Sequence, residues 1–243
     1  MGELISLDER RRARARAQGP ESAGTRLPAA HGGAVRFYFD LACPFCYLAA
    51  ERVDRLFDAV TWVPACSSLL RQQQGPLVEV DAGWAARERA EQRAAELRMP
   101  LVWPARELDA AQGIDAGHGL ERTRSAAMRA AAHAADHHRG ADFVLAAGRM
   151  AFCGGFDLED PEVLAEVAAA ARVPLEDCLR AAGDPAYDAV LAGTSRQLVA
   201  DGCKELPALR VGQTLFSGER RLAEAAAAAA ALERGRLQAP VPG

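Results

Sequence analysis

The stretch that decides the fold is VRFYFDLACPFCYLAAERVDRLFDAVTWVPA, residues 35–65. Its first segment, 35–40, is rich in aromatic and β-branched residues, and alternate positions place apolar side chains on one face, which predicts a buried strand. Apolar residues then recur at intervals of three and four through positions 49–57, the spacing of an amphipathic helix. A second strand is predicted at 60–65. The three segments form a βαβ unit, for which a right-handed crossover is expected.

A Cys-Pro-Phe-Cys tetrapeptide occupies positions 43–46, at the predicted junction of strand and helix. A thiol attacks a disulfide only as the thiolate, and the free N–H groups and dipole of a helix N-terminus stabilise that charge. Cys43 is therefore the predicted nucleophile. Cys46 lies one helical turn later, so its sulfur can reach Cys43 and resolve a mixed disulfide. Pro44 and Phe45, between the cysteines, are expected to contact the substrate and to tune the redox poise.

A lone Cys-x-x-Cys can also be half of a zinc site or two cysteines that merely pack. The sequence contains no second Cys-x-x-Cys and no paired Cys/His motif that would complete a tetrahedral site. The order of strand, cysteine pair and helix favours redox chemistry, and no metal site is expected.

Two further side chains flank the tetrapeptide. Tyr47 is expected to pack within the helix, because disulfide exchange needs no phenol. Asp40, three residues before Cys43, is a candidate for capping or tuning the site.

The other cysteines show no informative spacing and are expected to pack as small hydrophobic residues; they are Cys66, Cys153, Cys178 and Cys203. Cys203 is the exception, because its position four residues before Pro207 leaves an accessory redox role open.

The histidines offer a second candidate cluster. His133 and His137 are four residues apart, so on a helix they share a face and could bind a metal with Asp136 or His138. The preferred interpretation is that they lie at the end of a helix, where histidine interacts favourably with exposed carbonyl groups. His118 is expected on the surface of a loop.

The rest of the chain divides by its patterning. Residues 1–33 lack a sustained apolar period and are predicted to form a mobile N-terminal tail, whereas 34–66 hold the βαβ half. Residues 67–202 indicate helices punctuated by Pro and Gly, an inserted lobe with a return helix. Residues 203–243 hold two short apolar runs around a Gly turn, then an alanine-rich helix predicted from about Gly218 to Arg234, and a C-terminal tail.

With these segments in place, the chain resembles the DsbA-like branch of the thioredoxin superfamily over roughly residues 34–233. It is most similar to the subgroup of 2-hydroxychromene-2-carboxylate isomerases and kappa-class glutathione transferases. The segments that carry the resemblance are FYFDLACPFCYLAAERV (37–53), RMPLVWP (98–104), FDLEDPEVLAEVA (156–168) and ELPALRVGQTLFSGERRL (205–222). The resemblance implies an α/β thioredoxin fold, a mixed four-stranded sheet flanked by helices, with an inserted all-helical subdomain.

The resemblance also implies roles for the second half of the site. Pro207 would be a cis-proline beside the active-site sulfurs, and Leu206 would offer backbone hydrogen bonds to an extended substrate or thiol. In the isomerase subgroup a serine stands at the position of Cys43, and the enzyme uses bound glutathione as a thiol cofactor. The cysteine retained here favours dithiol redox chemistry, and residues 105–112 do not clearly match the subgroup's glutathione-binding segment.

Composition limits the classes of partner. The chain has 243 residues, half of them hydrophobic, and a formal net charge of -4, so it can bury one sizeable core but lacks the basic surface that nucleic-acid binding needs. No apolar stretch reaches the ~18 residues of a membrane span, and the run at 4–7 is too short for a signal-peptide core. We expect neither nucleic acid nor membrane as a partner, and a cytoplasmic location.

The sequence thus predicts a thiol–disulfide oxidoreductase that acts on a protein or small-molecule thiol or disulfide and requires no cofactor. The first alternative is a glutathione-dependent isomerase or transferase, which would bind glutathione or another low-molecular-weight thiol. The second alternative is a non-catalytic module that binds thiols or a metal.

Overall fold

A computed structural model of the chain describes residues 35–73, 81–104 and 125–237. The predicted N-terminal tail, His118 and the segment 105–112 lie outside these described residues.

The first half of the fold is the predicted βαβ unit: β1 (Val35–Phe39), α1 (Pro44–Leu56) and β2 (Thr61–Pro64). β1 buries the side chains of Phe37 and Phe39 completely. The strand ends one residue earlier than predicted, because the chain turns at Asp40 towards α1.

Seven helices of the described residues follow β2 before the chain returns to the sheet. They are α2 (Ser67–Gln73), α3 (Asp81–Leu97), α4 (Ala126–Asp136), α5 (Gly140–Phe152), α6 (Pro161–Ala171), α7 (Leu175–Gly183) and α8 (Ala186–Ala200). Local sequence explains where two of these helices begin. Ser125 accepts a hydrogen bond from the Met128 amide at the start of α4, and Asp160 caps the N-terminus of α6 ahead of Pro161.

The second half contains β3 (Ala208–Val211), β4 (Thr214–Ser217) and α9 (Leu222–Leu237). Gly212, with a φ of 58°, allows the tight turn between the two strands. The single helix predicted from about Gly218 is wrong at its start, because a 3₁₀ turn at Glu219–Arg221 precedes α9. In that turn the Glu219 side chain is buried instead of facing solvent.

The four strands form one mixed sheet in the order β2-β1-β3-β4. β1 pairs parallel with β2, where Phe37 lies opposite Trp62, and antiparallel with β3, where Phe37 lies opposite Leu209. β3 and β4 pair antiparallel. The predicted fold class, a mixed four-stranded sheet with a helical insertion, is confirmed.

The helical insertion packs directly on the sheet around an aromatic cluster. The Phe37 and Trp62 rings meet edge to face, with centroids 4.9 Å apart. α5 begins at Gly140, where an added Cβ would lie 2.8 Å from the Trp62 Cβ. Only glycine permits this approach of α5 to β2.

The division of the chain at 66/67 and 202/203 stays a prediction. In the described part of the chain, no helix combines the length and the apolar composition that a membrane crossing requires.

Candidate active site

Cys43 is the N-cap residue of α1, and Pro44 occupies the first turn, where its missing N–H removes no helical hydrogen bond. The Cys43 amide donates to the carbonyl oxygen of Asp40 at 3.1 Å, and the Cys43 carbonyl accepts from the Cys46 amide at 3.0 Å. The Cys43 side chain makes no capping hydrogen bond and is half-buried. Its sulfur therefore lies at the positive end of a helix and remains accessible.

Cys46 faces the interior. Its side chain is buried, and its sulfur accepts a hydrogen bond from the Asp40 amide at 3.4 Å. Burial raises the pKa of the Cys46 thiol well above its ordinary value, and the hydrogen bond and charge of the neighbouring Cys43 raise it further. Both cysteines are free thiols in the structure. The pair thus consists of an accessible outer sulfur and an inner sulfur that holds its proton.

A second chain segment completes the site. The Leu206–Pro207 peptide bond is cis, and the Cys43 sulfur lies 3.6 Å from the Leu206 carbonyl oxygen, although the two residues are 163 positions apart. β3 begins at the next residue and pairs with β1, so the sheet itself brings this loop to the start of α1. The Pro207 carbonyl accepts from the Gly218 amide at 2.8 Å, which ties the loop to the end of β4.

Pro44 and Phe45 form the first turn of α1 between the two sulfurs. Both are half-buried, and the Phe45 ring also packs against the core. Leu206 and Pro207, on the loop that faces the outer sulfur, are both buried.

Three backbone amides of the loop before Cys43 donate hydrogen bonds to side chains. The Asp40 amide donates to the Cys46 sulfur, the Leu41 amide to the Met128 sulfur at 3.3 Å, and the Ala42 amide to the Asp40 carboxylate at 2.9 Å. Met128 could not be predicted from sequence, because nothing in its spacing connects α4 of the insertion to a loop 87 positions away.

Tyr47 is a packing residue, as expected. Its ring stacks on Phe152 with centroids 5.4 Å apart, and its hydroxyl donates to the Pro100 carbonyl at 3.0 Å. The same hydroxyl lies 3.1 Å from the sulfur of Cys153, an exposed cysteine on the insertion. Burial and the Cys153 contact both raise the pKa of the Tyr47 phenol.

The remaining cysteines are buried, and burial raises the pKa of each thiol: Cys66, Cys178 and Cys203. The Cys203 sulfur lies 3.4 Å from the Glu205 carbonyl oxygen and 3.7 Å from the Ser217 hydroxyl oxygen. These contacts place Cys203 in the hydrogen-bond network that supports the proline loop.

His133 and His137 contact each other and neighbouring groups. Their rings lie 4.2 Å apart, His133 is 3.1 Å from the Tyr187 hydroxyl, and the His137 ring contacts the His133 carbonyl at 2.9 Å. Burial and the neighbouring His137 lower the pKa of His133. Within the described residues, no group of three or more His, Cys, Asp or Glu side chains is arranged to hold a metal ion.

This arrangement of two thiols can support thiol chemistry. A sulfur at an exposed helix N-terminus can carry negative charge and attack an external sulfur, while a second thiol within hydrogen-bond reach can attack the adduct. The cis-proline loop presents the Leu206 backbone carbonyl directly beside the outer sulfur.

Comparisons with known proteins agree with this description. The fold resembles a crystal structure of a 2-hydroxychromene-2-carboxylate isomerase, with a TM-score of 0.68, 16% identity, and coverage of 85% of this chain and 99% of the other. It also resembles a probable DsbA oxidoreductase from Streptomyces coelicolor, with a TM-score of 0.57, 18% identity, and coverage of 86% and 92%. At these identities the likeness shows the fold.

No curated protein matches the chain by sequence. The family model of the DsbA-like thioredoxin domain, however, matches residues 34–230, which include both cysteines, the whole helical insertion and the proline loop. The chain therefore belongs to the DsbA-like thioredoxin domain family.

Proposed function

We propose that the chain is a thiol–disulfide oxidoreductase whose redox centre is Cys43-Pro44-Phe45-Cys46. One observation carries the proposal: an accessible sulfur at the N-terminus of α1 lies 3.6 Å from the Leu206 carbonyl, while the buried Cys46 sulfur lies behind it. Thiol–disulfide exchange needs these parts, an accessible outer thiol and an inner thiol in reach.

The reaction proceeds in two exchanges. The Cys43 thiolate attacks one sulfur of a substrate disulfide; a Cys43–substrate disulfide forms, and the other substrate sulfur leaves as a thiolate that takes up a proton. Cys46 then loses its proton and attacks the Cys43 sulfur, which expels the second substrate thiolate. Two electrons pass from the dithiol to the substrate, and the reverse sequence oxidises a substrate dithiol.

The substrate is a thiol or disulfide, on a protein or a small molecule, and Pro44, Phe45 and Leu206 are the residues we propose to contact it. Pro44 and Phe45 follow Cys43 directly, and the Leu206 carbonyl lies 3.6 Å from its sulfur, which supports contact of these apolar residues with the carbon chain next to the reacting sulfur. We also propose a cytoplasmic location, because six cysteines are few for a disulfide scaffold of 243 residues.

Removal of the resolving thiol should trap the first intermediate. When Cys46→Ala reacts with glutathione disulfide, the Cys43 thiolate forms a mixed disulfide and one glutathione leaves; with no second thiol in reach, the adduct persists. Intact-protein mass spectrometry should show one glutathione per chain, and peptide mapping should place it on Cys43. The wild-type protein should pass instead to a Cys43–Cys46 disulfide without a lasting adduct.

The double variant Cys43→Ala/Cys46→Ala is the matched control and should take up no glutathione within the tetrapeptide. An adduct on exposed Cys153 alone would contradict the proposal. Saturable binding of reduced glutathione, with isomerase or transferase turnover that survives Cys46→Ala, would favour the glutathione-dependent alternative.

A further inference from the structure

Ser217, the last residue of β4, lies beside the loop that faces Cys43. β4 pairs with β3 so that Ser217 lies opposite Ala208, the residue that follows Pro207. The sheet therefore fixes the position of Ser217 at the start of β3, where the loop 203–207 enters the sheet.

The Ser217 hydroxyl directs its hydrogen bonds to this loop. Its oxygen accepts from the Lys204 amide at 3.1 Å and from the Glu205 amide at 2.9 Å, and the hydroxyl donates to the Glu205 carbonyl at 2.8 Å. A hydroxyl group has one proton to donate and two lone pairs that accept, so these three bonds use its full capacity. Both backbone polar groups of Glu205 therefore bind a single side-chain oxygen.

These hydrogen bonds fix the peptide unit on one side of Leu206. The Glu205 carbonyl and the Leu206 amide belong to the same planar peptide unit, so a bond to the Glu205 oxygen sets the direction of both groups. On the other side, the Pro207 carbonyl accepts from the Gly218 amide at 2.8 Å. The Leu206 carbonyl lies between these two fixed units, 3.6 Å from the Cys43 sulfur.

The two halves of the loop differ in burial. Leu206 and Pro207 are buried, whereas Lys204 and Glu205 are exposed. Packing holds the buried half, so the orientation of the exposed half depends more on hydrogen bonds. The Cys203 sulfur also lies 3.4 Å from the Glu205 carbonyl oxygen, but a thiol is a weaker donor than a hydroxyl. The hydroxyl of Ser217 is therefore the stronger support of this half.

We propose that Ser217 is a positioning residue for disulfide exchange: its hydroxyl holds the Leu206 backbone in the orientation that receives a peptide-like substrate beside Cys43. The inference rests on the exchange reaction proposed above and on the proposed contact between Leu206 and the substrate. It assigns the residue that keeps this contact in place. A substrate that extends along Leu206 depends on Ser217 more than a substrate too short to reach that backbone.

Two disulfides of different length test this dependence. Glutathione disulfide carries amide groups on both sides of each cysteine, whereas bis(2-hydroxyethyl) disulfide has no amide group. The rate of attack by Cys43 on each disulfide is measured with the reduced full-length protein by acid quenching and mass spectrometry. For Ser217→Ala, the ratio of the glutathione disulfide rate to the bis(2-hydroxyethyl) disulfide rate should fall about fivefold, which is the effect of one hydrogen bond of ordinary net strength.

Two further variants separate the hydroxyl from the general effect of a lost side-chain hydrogen bond. Ser217→Thr keeps the hydroxyl on a residue that suits a strand, so it should retain the wild-type ratio. Ser195→Ala removes another hydroxyl, which accepts from the Cys66 amide at 2.9 Å and donates to the Leu191 carbonyl at 2.8 Å. This variant should have a lower unfolding midpoint in urea and the wild-type ratio of rates.

An unchanged ratio in Ser217→Ala would overturn the proposal, as would an equal fall in Ser195→Ala. Amide hydrogen exchange of the wild-type protein adds a test that needs no variant. Lys204 and Glu205 are exposed, so their hydrogen bonds to Ser217 should slow exchange at least about tenfold relative to an unstructured peptide. Unprotected amides at both positions would refute the proposal. If the wild-type protein exchanged neither disulfide, the proposed function would fail, and amide exchange would still decide whether Ser217 holds the loop.

Discussion

Cys43→Ser should reduce the rate of exchange with glutathione disulfide by at least about a thousandfold, because a hydroxyl group does not form the anion that attacks sulfur near neutral pH. Cys46 cannot replace it. The inner thiol is buried, and burial holds its pKa well above the ordinary value. The rate is measured from the release of glutathione by the fully reduced protein under excess glutathione disulfide.

Cys153→Ser is the matched control for this experiment. Cys153 is an exposed thiol outside the tetrapeptide, and its sulfur lies 3.1 Å from the hydroxyl of Tyr47. Its replacement should leave the exchange rate within about twofold of the wild-type rate. Retained exchange in Cys43→Ser, or its loss in Cys153→Ser, would show that the reactive thiol has been misassigned.

The second large effect concerns stability. Glu219 follows β4, and its side chain is only 2% exposed. It forms an ion pair with Arg52 of α1 and accepts from the Arg93 side chain of α3 at 2.6 and 3.0 Å. One carboxylate therefore joins the first helix, the insertion and the end of the sheet, and the Glu219 hydrogen bond raises the pKa of Arg93.

Glu219→Ala should lower the free energy of unfolding by about 2–4 kcal/mol, because it leaves two guanidinium groups facing each other without the carboxylate between them. The expected loss of unfolding free energy lies towards the lower end of that for broken buried ion pairs, because both arginines are partly exposed. Urea unfolding followed by circular dichroism measures the change as a lower midpoint.

Glu224→Ala removes the carboxylate of an exposed ion pair with Arg221 on the same chain segment. Screening by water makes such pairs weak, so its unfolding midpoint should stay close to that of the wild-type protein. Equal shifts for the two variants would mean that Glu219 contributes no more than a surface charge.

The βαβ unit could be predicted because each of its parts has a strong local pattern. Alternating aromatic residues predict β1, and apolar residues at helical spacing predict α1. The start of α9 was harder to predict from sequence, because Gly218-Glu219-Arg220-Arg221 has the composition of a solvent-facing first turn. Its true conformation depends on Arg52 and Arg93, which are distant in sequence and draw Glu219 inwards.

The residues of the site also differ in whether a local sequence pattern predicts them. Cys43 and Cys46 follow from spacing and from the predicted helix start, whereas Leu206 and Pro207 came only from family resemblance, since no local pattern connects residues 163 positions apart. The Ser67 amide that binds Asp40 carries no sequence signal, because any residue except proline provides an N–H.

The most direct test of the redox centre is the reduction potential of the Cys43–Cys46 pair, measured on the full chain equilibrated in glutathione buffers and then acid-quenched, alkylated and mapped by mass spectrometry. We expect a single two-electron transition at a potential between about -270 and -120 mV, with Cys43 and Cys46 joined in the oxidised form. A value below about -250 mV would assign the protein as a reductant, and one near -120 mV as an oxidant. If both cysteines remained free to alkylate at every glutathione ratio, the central claim would be contradicted.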